Sequence, residues 1–115
     1  MALRSLALAA VLGVVLAQAA QAHSKKETSH PVDGAALAQP PETIGMRFDT
    51  PIMITMFRIT QADGAETPYE GGVMTPVTEY QVVPAAMSSG DYSVEWRGLS
   101  EDGHPVEGTF SFSVE

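Results

Sequence analysis

The C-terminal quarter of the chain carries the pattern that most restricts its fold. Between Tyr92 and Val114, apolar residues alternate with polar ones in two runs, which Asp102-Gly103-His104-Pro105 separates. Alternation with a period of two is typical of strands that bury one face, and an Asp-Gly pair between such runs is typical of a tight turn. The pattern therefore predicts an antiparallel hairpin with a carboxylate and an imidazole at its tip.

The residues of this turn support two interpretations. Because Gly103 accepts backbone angles that other residues avoid, Asp102 and His104 can point the same way, and such a pair can hold a metal ion. Asp-Gly is also one of the commonest hairpin turns, so ordinary turn chemistry explains the same residues. The hairpin sequence leaves both interpretations open.

The first part of the chain has the form of a secretory signal peptide. It has a positive charge at Arg4, an apolar run from Leu6 to Leu16, and small residues at Ala20-Gln21-Ala22. The apolar run is shorter than the roughly 20 residues that a membrane span needs. We therefore expect residues 1–22 to be removed and residues 23–115 to form an exported domain without stable membrane insertion.

Cleavage after Ala22 would make His23 the first residue of the mature protein. Its free α-amine and its ring nitrogen could then close a chelate on one ion, and such nitrogen donors suit Cu(II). His104 would add a nitrogen and Asp102 an oxygen. Alternatively, His23 is merely the residue that cleavage exposes. His30 is left out of the ligand set, because seven residues of extended strand span roughly 23 Å, and we expect it in a surface or turn position.

Composition limits the classes of function. Residues 23–115 suffice for one small domain with one core, and the chain has no cysteine for disulfides or thiolate metal sites. The formal net charge of the chain is −8, which argues against nucleic acid or anionic membrane as partners and favours cations or basic surfaces.

The strand signals predict an all-β fold. About six or seven short strands separated by turn signals, without a helix after residue 22, favour a small antiparallel Greek-key β-sandwich or barrel of immunoglobulin-like type. Residues 24–29 are polar, so if they form a strand we expect it to be an edge strand that brings His23 to the sheet. Trp96 is expected in the core, while Arg97 faces outward to pair with a carboxylate or to support the metal end.

Two segments in the middle of the chain have more specific predictions. Residues 35–42 contain Pro40-Pro41 and are expected to be irregular. Asp49-Thr50-Pro51 is expected to break the strand that begins at Ile44, so that a second strand starts at Ile52 with apolar residues on both faces.

The whole of residues 23–115 resembles the CopC-type copper-resistance proteins of the bacterial periplasm. The resemblance is carried by His23 after an Ala-x-Ala site, by Pro31-Val32-Asp33-Gly34, by Met46-Arg47-Phe48, and above all by Tyr92-Ser93-Val94-Glu95-Trp96-Arg97 followed by Ser100-Glu101-Asp102-Gly103-His104-Pro105 and an alternating Phe strand. It implies a β-sandwich that binds one Cu(II) through His23, Asp102 and His104. It also implies a non-enzymatic carrier or buffer that acts alongside a CopD-type inner-membrane copper importer.

Some CopC-type proteins also have a Cu(I) site in a Met-rich loop. Here the corresponding segment, Gln61 to Thr78, contains Met74 as its single sulfur and no histidine, so we expect that site to be missing. The other methionines on strand patterns, Met46, Met53 and Met56, are interpreted as core-filling residues.

Two other classes of function are compatible with the same residues. An N-terminal histidine with a second histidine also forms the copper site of lytic polysaccharide monooxygenases, although a chain this short leaves little room for their extended substrate face. A metal-free immunoglobulin-like interaction module, in which Asp102 and His104 are only turn residues, is the other alternative.

Overall fold

The described part of the chain is built from strands. A computed structural model describes residues 27–115, and these residues form seven strands and no helix. The strands are β1 (Glu27–His30), β2 (Ala35–Leu37), β3 (Ile44–Gln61), β4 (Tyr69–Gly71), β5 (Val77–Pro84), β6 (Gly90–Ser100) and β7 (Pro105–Val114). The prediction of a small all-β fold with about seven strands is confirmed. Within the same residues, no helix is long and apolar enough to cross a membrane.

The strands belong to one sheet. Its order is β2-β7-β6-β3-β5-β4, and β1 pairs with β3 outside this path. Every pairing is antiparallel except that of β2 with β7, which is parallel. The buried apolar residues of β3, β5, β6 and β7, joined by Met87, form one core cluster. The sheet therefore curls around a single core, in a mixed rather than purely antiparallel arrangement.

The prediction that residues 35–42 are irregular is wrong for Ala35–Leu37, which is β2. The preceding turn attaches this segment to β7, because Gly34 N–H donates to the Ser111 carbonyl at 2.7 Å and Ser111 N–H donates to Asp33 Oδ1 at 2.9 Å. Gly34 has a φ of 87°, which favours glycine. Three residues without alternation carry no strand signal, so the strand depends on this tertiary contact.

The predicted break at Asp49-Thr50-Pro51 is also wrong, since β3 continues through it for 18 residues. The pairing of β3 with β5 shifts between Arg47 and Ile52, so the intervening residues form a bulge rather than an end. A bulge tolerates the missing N–H of Pro51. The strand resumes because Ile52 pairs with Val77 of β5 on one side and with Ser100 of β6 on the other.

A second irregularity explains why buried apolar residues of β3 occupy both even-numbered and odd-numbered positions. Ile54 is paired with Gly98, but Met56 is paired with Arg97, so Thr55 is an extra residue. An extra residue reverses which side chains face the core. Ile52 and Ile54 before it, and Phe57 and Ile59 after it, are therefore all buried in the same core.

Trp96 is at the centre of this core, as predicted. It is 2% exposed and packs edge-on against Phe48 with ring centroids 5.3 Å apart. Its register partner on β7 is Gly108, and a Cβ at that position would lie 2.8 Å from Trp96 Nε1. The indole therefore occupies the space that a side chain at position 108 would need.

Replacement of this glycine should destabilise the domain. We expect Gly108→Ala to lower the free energy of unfolding by about 1–3 kcal/mol, because the new methyl group overpacks the indole. Urea unfolding followed by the emission of Trp96, the single tryptophan of the chain, measures the change. Thr109→Ala, at the exposed neighbouring position of β7, is the control and should cost less. Equal losses in the two variants would contradict the packing argument.

Candidate metal centre

The hairpin predicted at the C-terminal end forms between β6 and β7. β6 ends at Ser100 and β7 begins at Pro105. Two backbone hydrogen bonds close the turn, from Gly103 N–H to the Ser100 carbonyl and from Ser100 N–H to the His104 carbonyl, each at 2.9 Å. Gly103 has a φ of 85°, so the glycine has the conformational role expected of it. The tip therefore has a defined backbone geometry.

Asp102 and His104 meet at this tip, as the sequence analysis expected. The Nδ1 atom of His104 lies 2.9 Å from Oδ2 of Asp102. The side chains of the two residues are 68% and 77% exposed, respectively. The pair is therefore preformed and open to solvent.

Ser100 holds this pair together, a role that was not predicted from the sequence. Its hydroxyl donates a hydrogen bond to Oδ1 of Asp102 and accepts one from the backbone N–H of His104 at 3.2 Å. A serine at the end of a strand, followed by a turn, commonly bonds to nearby backbone in this way. The spacing Ser-x-Asp-x-His was the available signal, but its meaning depends on the conformation of the turn.

These contacts favour the ionised form of Asp102. The hydrogen bond from Ser100, followed by that from His104, holds the pKa of the Asp102 carboxyl below its usual value. Hydrogen bonds to a carboxylate favour its ionised form. At neutral pH the tip therefore presents an anionic oxygen donor beside an imidazole.

The pair has donor atoms that suit a divalent transition metal. Nδ1 of His104 and Oδ2 of Asp102 lie at an ordinary hydrogen-bond distance of 2.9 Å, so both residues are within reach of one ion. An ion could replace the shared proton between these atoms, or bind Nε2 while Asp102 orients the ring. Imidazole and carboxylate are both donors that Cu(II) accepts.

The pair by itself is an incomplete site. Among residues 27–115 there is no group of three or more His, Asp and Glu side chains that could hold a metal ion. The described residues therefore supply two of the predicted ligands, Asp102 and His104. The predicted third ligand, His23, and the predicted signal peptide at residues 1–22 lie outside the described residues.

The course of β1 leads toward the tip. At Arg47, β3 pairs with β1 on one edge and with β5 on the other. At Ile52, β3 pairs with β6 on one edge and again with β5 on the other. β1 and β6 therefore share one edge of β3. β1 is antiparallel to β3, so its N-terminal residue Glu27 is opposite Phe48, only four residues along β3 from the partner of Ser100.

The remaining predicted residues lie away from the Asp102–His104 pair. Arg97 contacts Glu95 and Glu107 at 3.8 and 3.9 Å, so the predicted carboxylate pairing is confirmed, but with carboxylates other than that of Asp102. His30 is exposed at the other end of β1, opposite Gly45. Its surface position agrees with the expectation.

The methionines divide into core and surface residues. Met46 is buried in the core as interpreted, and so is Met87. Met53 and Met56 are half-buried outside the core cluster, so the core-filling interpretation is wrong for both. Met53 faces outward because it lies between the buried Ile52 and Ile54. The extra residue Thr55 places Met56 on the same outer face, next to the buried Phe57.

Comparison with known proteins places the chain in a family. A family model described as the CopC domain matches residues 26–115. The chain belongs to the CopC domain family. The resemblance inferred from the hairpin motif is thereby confirmed, and with it membership of a group of copper resistance proteins.

Relatives match along most of their length. Copper resistance protein C of Xanthomonas campestris pv. juglandis is 33% identical over 99% of this chain and 98% of its own. The protein of the same name from Pseudomonas syringae pv. tomato is 29% identical over 90% and 89%. Both are named for copper resistance rather than for an enzymatic activity.

Solved structures share the fold. The crystal structure of CopC from Methylosinus trichosporium OB3b has a TM-score of 0.64 and 26% identity, covering 76% of this chain and 88% of its own. PcoC, a copper resistance protein from Escherichia coli, has a TM-score of 0.64 at 24% identity, covering 80% and 99%. The second likeness concerns the fold alone.

The titration of Asp102 tests the hydrogen bonds at the tip. Its pKa should lie below the ordinary Asp value, and His104→Ala should raise it only part of the way, because the larger cause is Ser100. A carboxyl with a lowered pKa in the folded state stabilises that state above its unfolded pKa, and this contribution is lost as the pH falls through the lowered value. NMR titration of the side-chain carboxyl carbon measures it. A midpoint at or above the ordinary value would contradict the described contacts.

Proposed function

We propose that residues 23–115 form a periplasmic copper-binding protein that holds one Cu(II) as a carrier or buffer in copper resistance. The observation that carries the proposal is the preformed Asp102–His104 pair, 2.9 Å apart at the hairpin tip, in a member of the CopC domain family. The proposed role is non-enzymatic. Copper is then the cargo of the protein.

The proposed ligands are His23, Asp102 and His104. His23 would contribute its α-amine and ring nitrogen, His104 a nitrogen and Asp102 an oxygen. The register of β1 supports this set, because its N-terminal residue Glu27 is opposite Phe48 on the same edge of β3 that pairs with Ser100 at Ile52.

Export and cleavage after Ala22 are part of the proposal, because the chelate needs a free amine at His23. The signal-like composition of residues 1–22 supports export. The match to the Xanthomonas campestris relative covers 99% of the chain, so almost all of this segment has a counterpart in that protein.

The exposure of the tip suits exchange of the ion. Asp102 and His104 are more than two-thirds exposed, so a bound ion would be accessible to an acceptor protein. From the family resemblance, we propose a CopD-type inner-membrane copper importer as that partner. A carrier needs such access, whereas an ion bound for stability alone is better enclosed.

Copper binding can be tested on the secreted protein. Intact mass should show a chain that starts at His23, and titration followed by electron paramagnetic resonance should show one Cu(II) with a nitrogen-rich signal. His23→Ala and His104→Ala should each lower the affinity by at least about 100-fold, because loss of a ligand exceeds the usual effect of its supporting residues.

The third histidine provides the matched control. His30→Ala removes an exposed imidazole at the far end of β1 and should leave Cu(II) affinity unchanged. A different N-terminus, or unchanged affinity in His104→Ala, would overturn the proposed site and favour the metal-free interaction module.

Acid should release the ion. The α-amine and both imidazoles must be deprotonated to bind, so protons compete with Cu(II) as the pH falls below about 6. Competition with a chelator at a series of pH values measures the apparent Cu(II) affinity. An affinity that does not change between neutral pH and about pH 4 would contradict histidine ligands.

A further inference from the structure

Ser100 connects the sheet to the exposed side chains of the tip. Its backbone belongs to β6 and pairs with Ile52 of β3, so its position is set by the sheet. Ser100 is half-buried, while the side chains of Asp102 and His104 project into solvent. The serine is therefore a residue fixed by the sheet beside two exposed ones.

The hydroxyl of Ser100 makes two contacts with different parts of the turn. It donates to Oδ1 of Asp102 and accepts from the backbone N–H of His104 at 3.2 Å. A hydroxyl has one hydrogen and two lone pairs, so it makes both bonds at once. Because Oδ2 of Asp102 contacts Nδ1 of His104, the connection is continuous from Ser100 through the carboxylate to the imidazole.

We propose that Ser100 is a positioning residue, whose hydroxyl arranges Asp102 and His104 for metal binding before the ion arrives. The inference rests on the proposed function for its purpose, but on the described hydrogen bonds for its geometry. Exposed side chains sample several rotamers, and an ion that must select one of them binds less tightly than an ion that meets a preformed pair. Ser100 lowers that cost without being a ligand.

Three variants test this role. Ser100→Ala removes both hydrogen bonds, and Ser100→Thr keeps a hydroxyl at the same position. Ser93→Ala is the matched control, since it removes another hydroxyl of β6 that also makes a hydrogen bond, to Thr60, seven residues from Ser100. Both positions lie on β6.

The first measurement uses the metal-free protein. In Ser100→Ala we expect hydrogen exchange at the His104 amide to become about three- to ten-fold faster, the range for a lost hydrogen bond. Three-bond couplings between Hα and Hβ should show that the side chains of Asp102 and His104 average between rotamers. Ser100→Thr and Ser93→Ala should both resemble the wild type at the tip.

The second measurement is titration with Cu(II). Ser100→Ala should lose about three- to ten-fold in affinity and keep the nitrogen-rich spectrum, since no ligand is removed, and Ser100→Thr should restore the affinity. If the tip of metal-free Ser100→Ala were as ordered as that of the wild type, the positioning role would be wrong whatever the copper affinity. If the wild type bound no Cu(II), the proposed function would fail, while the metal-free measurements would still decide the role of Ser100.

Discussion

The candidate centre depends on the continuity of β3 through the bulge at Asp49-Thr50-Pro51. Because the strand does not end there, one edge of β3 pairs first with β1 and then with β6. β1 is the first described strand, and β6 ends at Ser100. A true break would separate these two strands. The bulge thus places the start of the described chain and the base of the hairpin tip in line on one edge.

The tip combines a fixed base with accessible donors. Ser100 is held by backbone pairing on both sides, with Ile52 of β3 and with the carbonyl of His104, whereas the side chains of Asp102 and His104 are exposed. The pair is therefore positioned by hydrogen bonds to Ser100 and to each other rather than by burial. This arrangement leaves the pair accessible, which the proposed carrier role requires.

The parts of the structure that follow from local pattern were predictable from the sequence, and those that depend on tertiary pairing were not. The final hairpin, the burial of Trp96 and the meeting of Asp102 with His104 follow from alternation and turn chemistry. β2 exists because its turn bonds to Ser111, and the position of Met56 depends on the extra residue Thr55. Bulges change which face a residue occupies, and no local signal marks them.

The pairing of the strands with β3 also explains why His104 can take part in the proposed metal site and His30 cannot. His30 is close in sequence to the proposed ligand His23, yet it is opposite Gly45, at the end of β3 away from Ser100. His104 is distant in sequence but follows directly from the strand that pairs with Ile52. Because β1 is antiparallel to β3, each residue toward its N-terminus moves closer to the tip. Strand direction, rather than proximity in sequence, determines which donors this sheet can bring together.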